Sequence, residues 1–214
     1  MNKSIILKIN DTYDFIKINN DNIIALSKGV SELKEFLKML HEKEMIEVLQ
    51  DIISSTELAV ASSIQNERNR IIDNQYSKLK KVIQGMIIKE LNNLQNELGK
   101  TNIEDFYIIN NDGFNLTLAG SFDSCYYHEV EVIFSDVQFI FCPGTTFTVS
   151  KFRLAYNSEI DELSKYMNGY EKQGVVICLE DEFVESKYFI VANQVSVNWE
   201  TVYYNDRQDL NSRE

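Results

Sequence analysis

Two histidines, His41 and His128, and three cysteines, Cys125, Cys142 and Cys178, are the residues of this 214-residue chain suited to proton transfer or nucleophilic attack near neutral pH. His41 follows Leu40 near the end of a helical stretch, where a cation is welcome beside free carbonyls, so its role reads as structural. His128 shares a strand face by alternation with Val130, Val132 and Phe134. That placement describes a part-buried histidine with a satisfied hydrogen bond. In the functional reading it is a base or ligand with Asp123 or Glu131 nearby, although alternation sends Glu131 to the opposite face. Cys142 stands before Pro143-Gly144 at a strand-to-turn junction. A nucleophile there needs a histidine, a helix N-terminus or a basic cluster to lower the thiol pKa, and Thr148 occupies the place of the arginine in a Cys-x5-Arg loop. His128 and Cys142 are the catalytic candidates, for a hydrolase; the plainer reading of Cys142 is an inert thiol.

The cysteines form no C-x-x-C pair and have no histidine cluster beside them, so neither a zinc knuckle nor a dithiol can be written. Glycine-rich phosphate loops, the G-x-S-x-G elbow, H-E-x-x-H and the EF-hand loop are missing too, and no cofactor and no metal is expected. Glu180, Asp181, Glu182 and Glu185 gather four carboxylates around a hairpin connection. They would suit a cation, or more simply form a solvated, strand-guarding end.

Charge narrows the partners. Residues 1–100 hold 14 Lys+Arg and 14 Asp+Glu, and residues 101–214 hold 7 and 19, so the whole net charge of -12 lies in the second part. Such a surplus repels phosphate backbones and anionic lipid and favours cationic surfaces. Nucleic-acid binding by the C-terminal half is therefore not expected, and neither is membrane binding. The same half carries Tyr126, Tyr127, Tyr156, Tyr166, Tyr170, Tyr188, Trp199, Tyr203 and Tyr204, residue types that supply rigid contact area at binding surfaces when they are not filling a sheet's core. Glu180, Asp181, Glu182, Glu185, Trp199 and Tyr203 are the candidate binding residues, and a basic protein is the candidate partner. The odd cysteine count, the lack of a signal-peptide pattern and the absence of an 18-residue apolar run lead to the expectation of a soluble cytoplasmic protein.

The elements that must position these residues fall into two halves. Ile5–Ile9 and Tyr13–Ile18 read as two strands joined at Asn10-Asp11-Thr12, a hairpin that would pair with a sheet. From Ser31 the spacing turns helical through Leu33, Phe36, Leu37, Leu40, Met45, Leu49, Ile52 and Ile53. Ser54-Ser55-Thr56-Glu57 has the spacing of a capping box opening a second helix. That helix continues through Leu79, Ile83, Ile87, Leu91, Leu94 and Leu98 to a stop at Gly99, about 44 residues or about 66 Å if unbroken. The polar run Gln65–Arg70 suggests a break, giving two helices or one long bent one. The Ile87, Leu91, Leu94, Leu98 stripe is either a seam that oligomerises the chain or the inner face of an intramolecular helix pair.

Beyond residues 99–104, where a boundary is plausible, the signal is β. Phe106–Asn110 and Phe114–Ala119 flank Asp112-Gly113, a hairpin cue because both residues tolerate positive φ. Tyr126 to Phe134 alternates, slips at Ser135-Asp136 and resumes to Phe141. Phe147–Leu154 is a further strand, Ser158–Met167 a short helix ended by Asn168-Gly169, and Val175–Leu179, Tyr188–Ala192 and Val195–Tyr203 are strands. The class is α+β: an N-terminal β-hairpin followed by a helical region (together 1–100), and an acidic antiparallel sheet with one short helix (101–214). The leading functional expectation is a non-enzymatic binding module, of the immunity, inhibitor or defence type, for a basic protein. The alternative is a subunit that joins a homodimer or larger complex through its helices.

Overall fold

The computed structural model describes residues 3–40, 43–61, 65–167, 169–170 and 174–204. His41 and Asn168 lie outside the described residues. Helices α1 (Lys3–Ile18), α2 (Ile23–Leu37), α3 (Lys43–Ala61) and α4 (Gln65–Leu98) precede strands β1 (Asp105–Asn111), β2 (Asn115–Ser121), β3 (Tyr127–Ser135), β4 (Phe139–Phe141), β5 (Phe147–Thr148) and β6 (Lys151–Leu154). Helix α5 (Asn157–Met167) and strands β7 (Val175–Asp181), β8 (Ser186–Ala192) and β9 (Gln194–Tyr203) complete the chain. The class is α+β, with helices first and antiparallel sheet after. No described helix is long and apolar enough to cross a membrane. The chain divides into two compact units, Met1–Gly85 and Met86–Glu214, and the division falls inside α4.

The expected N-terminal hairpin is a helix. Ile5, Ile9, Tyr13 and Ile16 are all buried, and their spacing of four, four and three is the 3.6-residue period of one helix face. Asn10-Asp11-Thr12, read as a turn, lies inside α1, where Asn10 and Thr12 hydrogen-bond to Asp14 and Glu32. A second correction concerns Ser54-Ser55-Thr56-Glu57, which lies within α3 and caps nothing. There Thr56 Oγ1 donates back to Ile52 O, and Glu57 pairs with Lys34 at 2.6 Å. The true cap is Asn22, whose side chain accepts from the backbone N–H of Ile24 and Ala25 at the start of α2. Gln65–Arg70 is the first part of α4 and not a break in a helix; at 34 residues α4 is about 51 Å long.

Two glycines in these helices give the same substitution opposite signs. A Cβ on Gly29 of α2 would lie 2.4 Å from Ile16 Cγ1, an atom of a fully buried side chain, whereas one on Gly85 of α4 meets nothing within 4 Å. Gly85→Ala is expected to stabilise by about 0.5–1 kcal/mol through helix propensity. In Gly29→Ala, overpacking of about 1–3 kcal/mol outweighs that gain. Urea unfolding of the two variants measures the contrast, and equal shifts would disprove it.

In the second unit the single sheet expected is two. One has the order β5-β1-β2-β3-β9 and the other β4-β8-β7-β6, all pairs antiparallel. The predicted strand Phe147–Leu154 is split between them. Val149 N–H bonds to Glu104 O, beside the first sheet, while Ser150 N–H bonds to Glu180 O of the second, so the chain changes sheets at that step. Buried side chains from both sheets meet: Phe106 of β1 packs edge-on to Phe152 of β6 at 5.1 Å between centroids. Helix α5 covers the second sheet through Leu163 and Met167 against Val176, Cys178, Phe189 and Val191. The Asp112-Gly113 hairpin is present, with positive φ at Gly113 alone and Asp112 Oδ1 holding Phe114 and Asn115 N–H. Asp136, at φ 53, marks the slip after β3.

The last turns of α4 belong to this unit. Ile87, Leu91, Leu94 and Leu98, offered as an oligomerisation seam, are each at most 6% exposed within the single chain. They are core, because the stripe faces inward. The polar residues beside them close sheet edges: Gln95 accepts from Phe152 N–H and donates to Ser150 O along β6, and Glu90 accepts from Val197 N–H on β9.

Candidate functional site

The carboxylates expected to form one acidic surface have different employments. Arg153 of β6 donates to Glu180 of β7 from Nε (2.7 Å) and to both oxygens of Glu159 of α5 (2.8 and 2.9 Å), and Lys187 reaches Glu159 at 2.8 Å. Glu159 also accepts from Tyr156 N–H at the start of α5. These hydrogen bonds, chiefly from Arg153, hold Glu159 down to about 2 and Glu180 below the usual carboxylate range. Asp181 is buried, and its Oδ1 accepts from Phe183 and Val184 N–H to shape the β7–β8 turn. Glu180 and Asp181 are thus structural, which corrects their assignment to a partner surface. Only Glu182 and Glu185 of that group are exposed, flanking the exposed Phe183 and Val184.

The two catalytic candidates are not brought together by any hydrogen bond. His128 is 3% exposed and has both ring nitrogens occupied, Nδ1 by Tyr204 Oη at 2.8 Å and Nε2 by Glu131 Oε1 at 3.1 Å. The Tyr204 hydroxyl is also hydrogen-bonded to that of Tyr107 on β1. Contact with Glu131 corrects the expectation from simple alternation. The β3–β9 register slips by one residue between His128 and Val130, opposite the extra residue that β9 carries between Trp199 and Val202, so the contact forms beside an irregularity in the ladder. The Cys142 thiol is half-buried and raised by burial, the reverse of an activated nucleophile. Cys125 is exposed and Cys178 buried, and all three cysteines are free. Among the described residues no group of three or more His, Cys, Asp or Glu is placed to hold a metal ion.

Trp199 and Tyr203, the two aromatic binding candidates, are both exposed. Both project from β9, one of the two outer strands of the five-stranded sheet, and are 42% and 56% exposed. Tyr203 packs on Tyr127 at 5.7 Å between centroids, and Tyr126, Tyr204 and Val202 add exposed apolar area around them. Partial burial, then the carboxylates of Glu129 and Asp123, keep the Tyr127 phenol above its ordinary range, and Glu200 is exposed on β9 itself. The result is an aromatic strand end beside carboxylates, with a hydrogen-bonded chain running from the buried His128 through Tyr204 to Tyr107. An open groove of about 370 Å³ also lies between Ile88, Leu91, Asn92 and Gln95 of α4 and Lys151–Leu154, with Tyr156 at its side. Its strongest charged group, Arg153, is already spent on Glu159 and Glu180.

Sequence reasoning missed Tyr107, Glu90 and Gln95. Their roles depend on which strands are neighbours, and no local spacing carries that information. Compared with protein families, with curated proteins and with solved structures, the chain matches none.

Proposed function

We propose that the second unit is a protein-binding module for a basic protein partner, acting by occupation of that partner's surface, as an immunity, inhibitor or defence protein does, with no reaction of its own. The observation that carries the reading is the exposed end of β9, with Trp199 on one face of the strand, Tyr203 against Tyr127 on the other, Glu200 on the strand and Glu129 and Asp123 beside Tyr127. Aromatics of this kind are the commonest anchors of protein interfaces, and the carboxylates around them select a cationic partner and speed its approach. Occupied ring nitrogens on His128 and a raised Cys142 thiol weigh against the hydrolase reading.

The test is affinity capture from the native host with wild type and with a Trp199→Ala, Tyr203→Ala double variant, each at low and at moderate salt. A basic protein held by wild type, released as salt rises and absent from the variant is the expected result. Retention that neither salt nor the double substitution changes would overturn the proposal. Circular dichroism of the variant confirms that it is folded.

A second reading, assembly through the helical unit, has one observation in its favour at a different place from the α4 stripe. Ile18, Ile23 and Ile24, on either side of the α1–α2 connection, are 79%, 49% and 82% exposed. Light scattering of the same preparations decides it: a mass above that of one chain, reduced to one chain by Ile18→Lys with Ile24→Lys, would favour assembly.

A further inference from the structure

The two sheets of the second unit have four outer strands, and three of them are four residues long or shorter. β5 is two residues long, β4 is three, and β6 is four with Gln95 occupying its outward Phe152 N–H and Ser150 O. Short and covered edges are how proteins prevent unwanted strand pairing. β9 is ten residues long, and α4 guards it only as far as Val197, whose N–H is held by Glu90. From Asn198 to Tyr203 every residue is exposed.

We propose that this exposed stretch, Asn198–Tyr203, receives an extended basic segment of the partner as an added strand, with Trp199 on one face and Tyr203 on the other as its side-chain anchors. The inference rests on the binding-module reading and specifies its mode. In strand addition the backbone hydrogen bonds supply affinity, and alternate side chains supply specificity. The occupant follows from charge. Glu200 lies on the strand and Glu129 and Asp123 beside it, and residues 101–214 carry 19 acidic against 7 basic side chains. A second copy would bring the same charge to the same edge. A segment rich in Lys or Arg meets the opposite sign.

The probe is a synthetic seven-residue peptide alternating Lys and Val, titrated against the full chain together with two relatives, one N-methylated at every Lys amide and one at every Val amide. In an added strand alternate N–H groups point to one edge, so one methylated peptide is expected to lose roughly tenfold or more in affinity while the other binds as the parent does. Hydrogen exchange at Trp199–Tyr203 should slow with the parent peptide, and Trp199→Ala should weaken it. Equal binding of all three peptides would overturn strand addition. So would no binding of the parent, or a dimer in sedimentation whose β9 amides are already protected. In any of these cases the salt-sensitive capture of a basic protein decides separately whether the binding-module reading stands.

Discussion

Arg153→Met is expected to destabilise the second unit by about 3 kcal/mol, because it strips two carboxylates of the cation that holds them. The Arg153 and Glu159 side chains are only 10% and 11% exposed, and Glu180 is 21% exposed, so water replaces the lost hydrogen bonds poorly. The same group sets an acid limit. Glu159 titrates near 2 in the folded chain against an ordinary value of 4.5. A depressed folded pKa contributes stability that is complete above the unfolded value and is lost as pH falls from about 4.5 toward about 2; Glu180 acts in the same direction. Guanidinium unfolding at about pH 6 and about pH 3 should therefore show a steeper loss for wild type than for Arg153→Met. Parallel losses would disprove the role of the network. Arg68, on α4 in the first unit, makes the opposite case. It is 8% exposed, and its Nε and Nη1 find no hydrogen-bond partner among the described residues. Arg68→Met should stabilise, on the order of 2 kcal/mol, because it removes two buried N–H groups that find no hydrogen-bond partner among the described residues and keeps the stem's volume.

Gly120→Ala is the second large effect. Gly120 lies on β2 opposite Phe106 of β1 and Val130 of β3, both fully buried. A Cβ there would come within 2.6 Å of Phe106 Cε1 and 2.7 Å of Val130 Cγ1. Phe106 cannot swing aside freely, since its ring is set edge-on against Phe152 of the other sheet. A shift that relieves one clash propagates to the packing between sheets. The expected cost is about 3 kcal/mol, the upper part of the usual overpacking range. Thermal unfolding of Gly120→Ala beside Gly113→Ala, whose Cβ would meet nothing but whose φ is +84, separates a packing cost from a backbone cost. If Gly120→Ala unfolds at the wild-type temperature, the close approach is not a constraint.

The contrast between legible and illegible elements follows from the range of the interactions that form them. The Asp112-Gly113 turn and the alternation of His128, Val130, Val132 and Phe134 are local patterns with one face buried, and both stand as read. Helix α1 was open to the same logic, since Ile5, Ile9, Tyr13 and Ile16 keep helical spacing, but Asn10-Asp11-Thr12 has turn chemistry that tertiary contacts override. The apparent capping box in α3 failed for a related reason: a spacing of serine and glutamate is a cap only where a helix begins. Trp199 and Tyr203 could be picked out as candidates for a binding surface by type alone. That they occupy an outer strand could not, because the order of strands is a property of pairings between residues as distant as Val132 and Val197. Glu180 and Asp181 looked interchangeable with Glu182 and Glu185 for the same reason. Arg153, which engages Glu180, is 27 residues away in sequence.

The two edge guards on α4 have a further consequence for synthesis of the chain. Gln95 precedes the Phe152 amide it caps by 57 residues, and Glu90 precedes that of Val197 by 107. A chain made from its N-terminus presents the helix before either strand leaves the ribosome. Each sticky edge therefore emerges into the presence of its chaperone-like cover, and the interval in which nascent chains on a polysome could zip together is shortened. Among the described strands the stretch after Val197 is the last to be made, so its exposed edge appears only once the other strands of its sheet are available to pair with it.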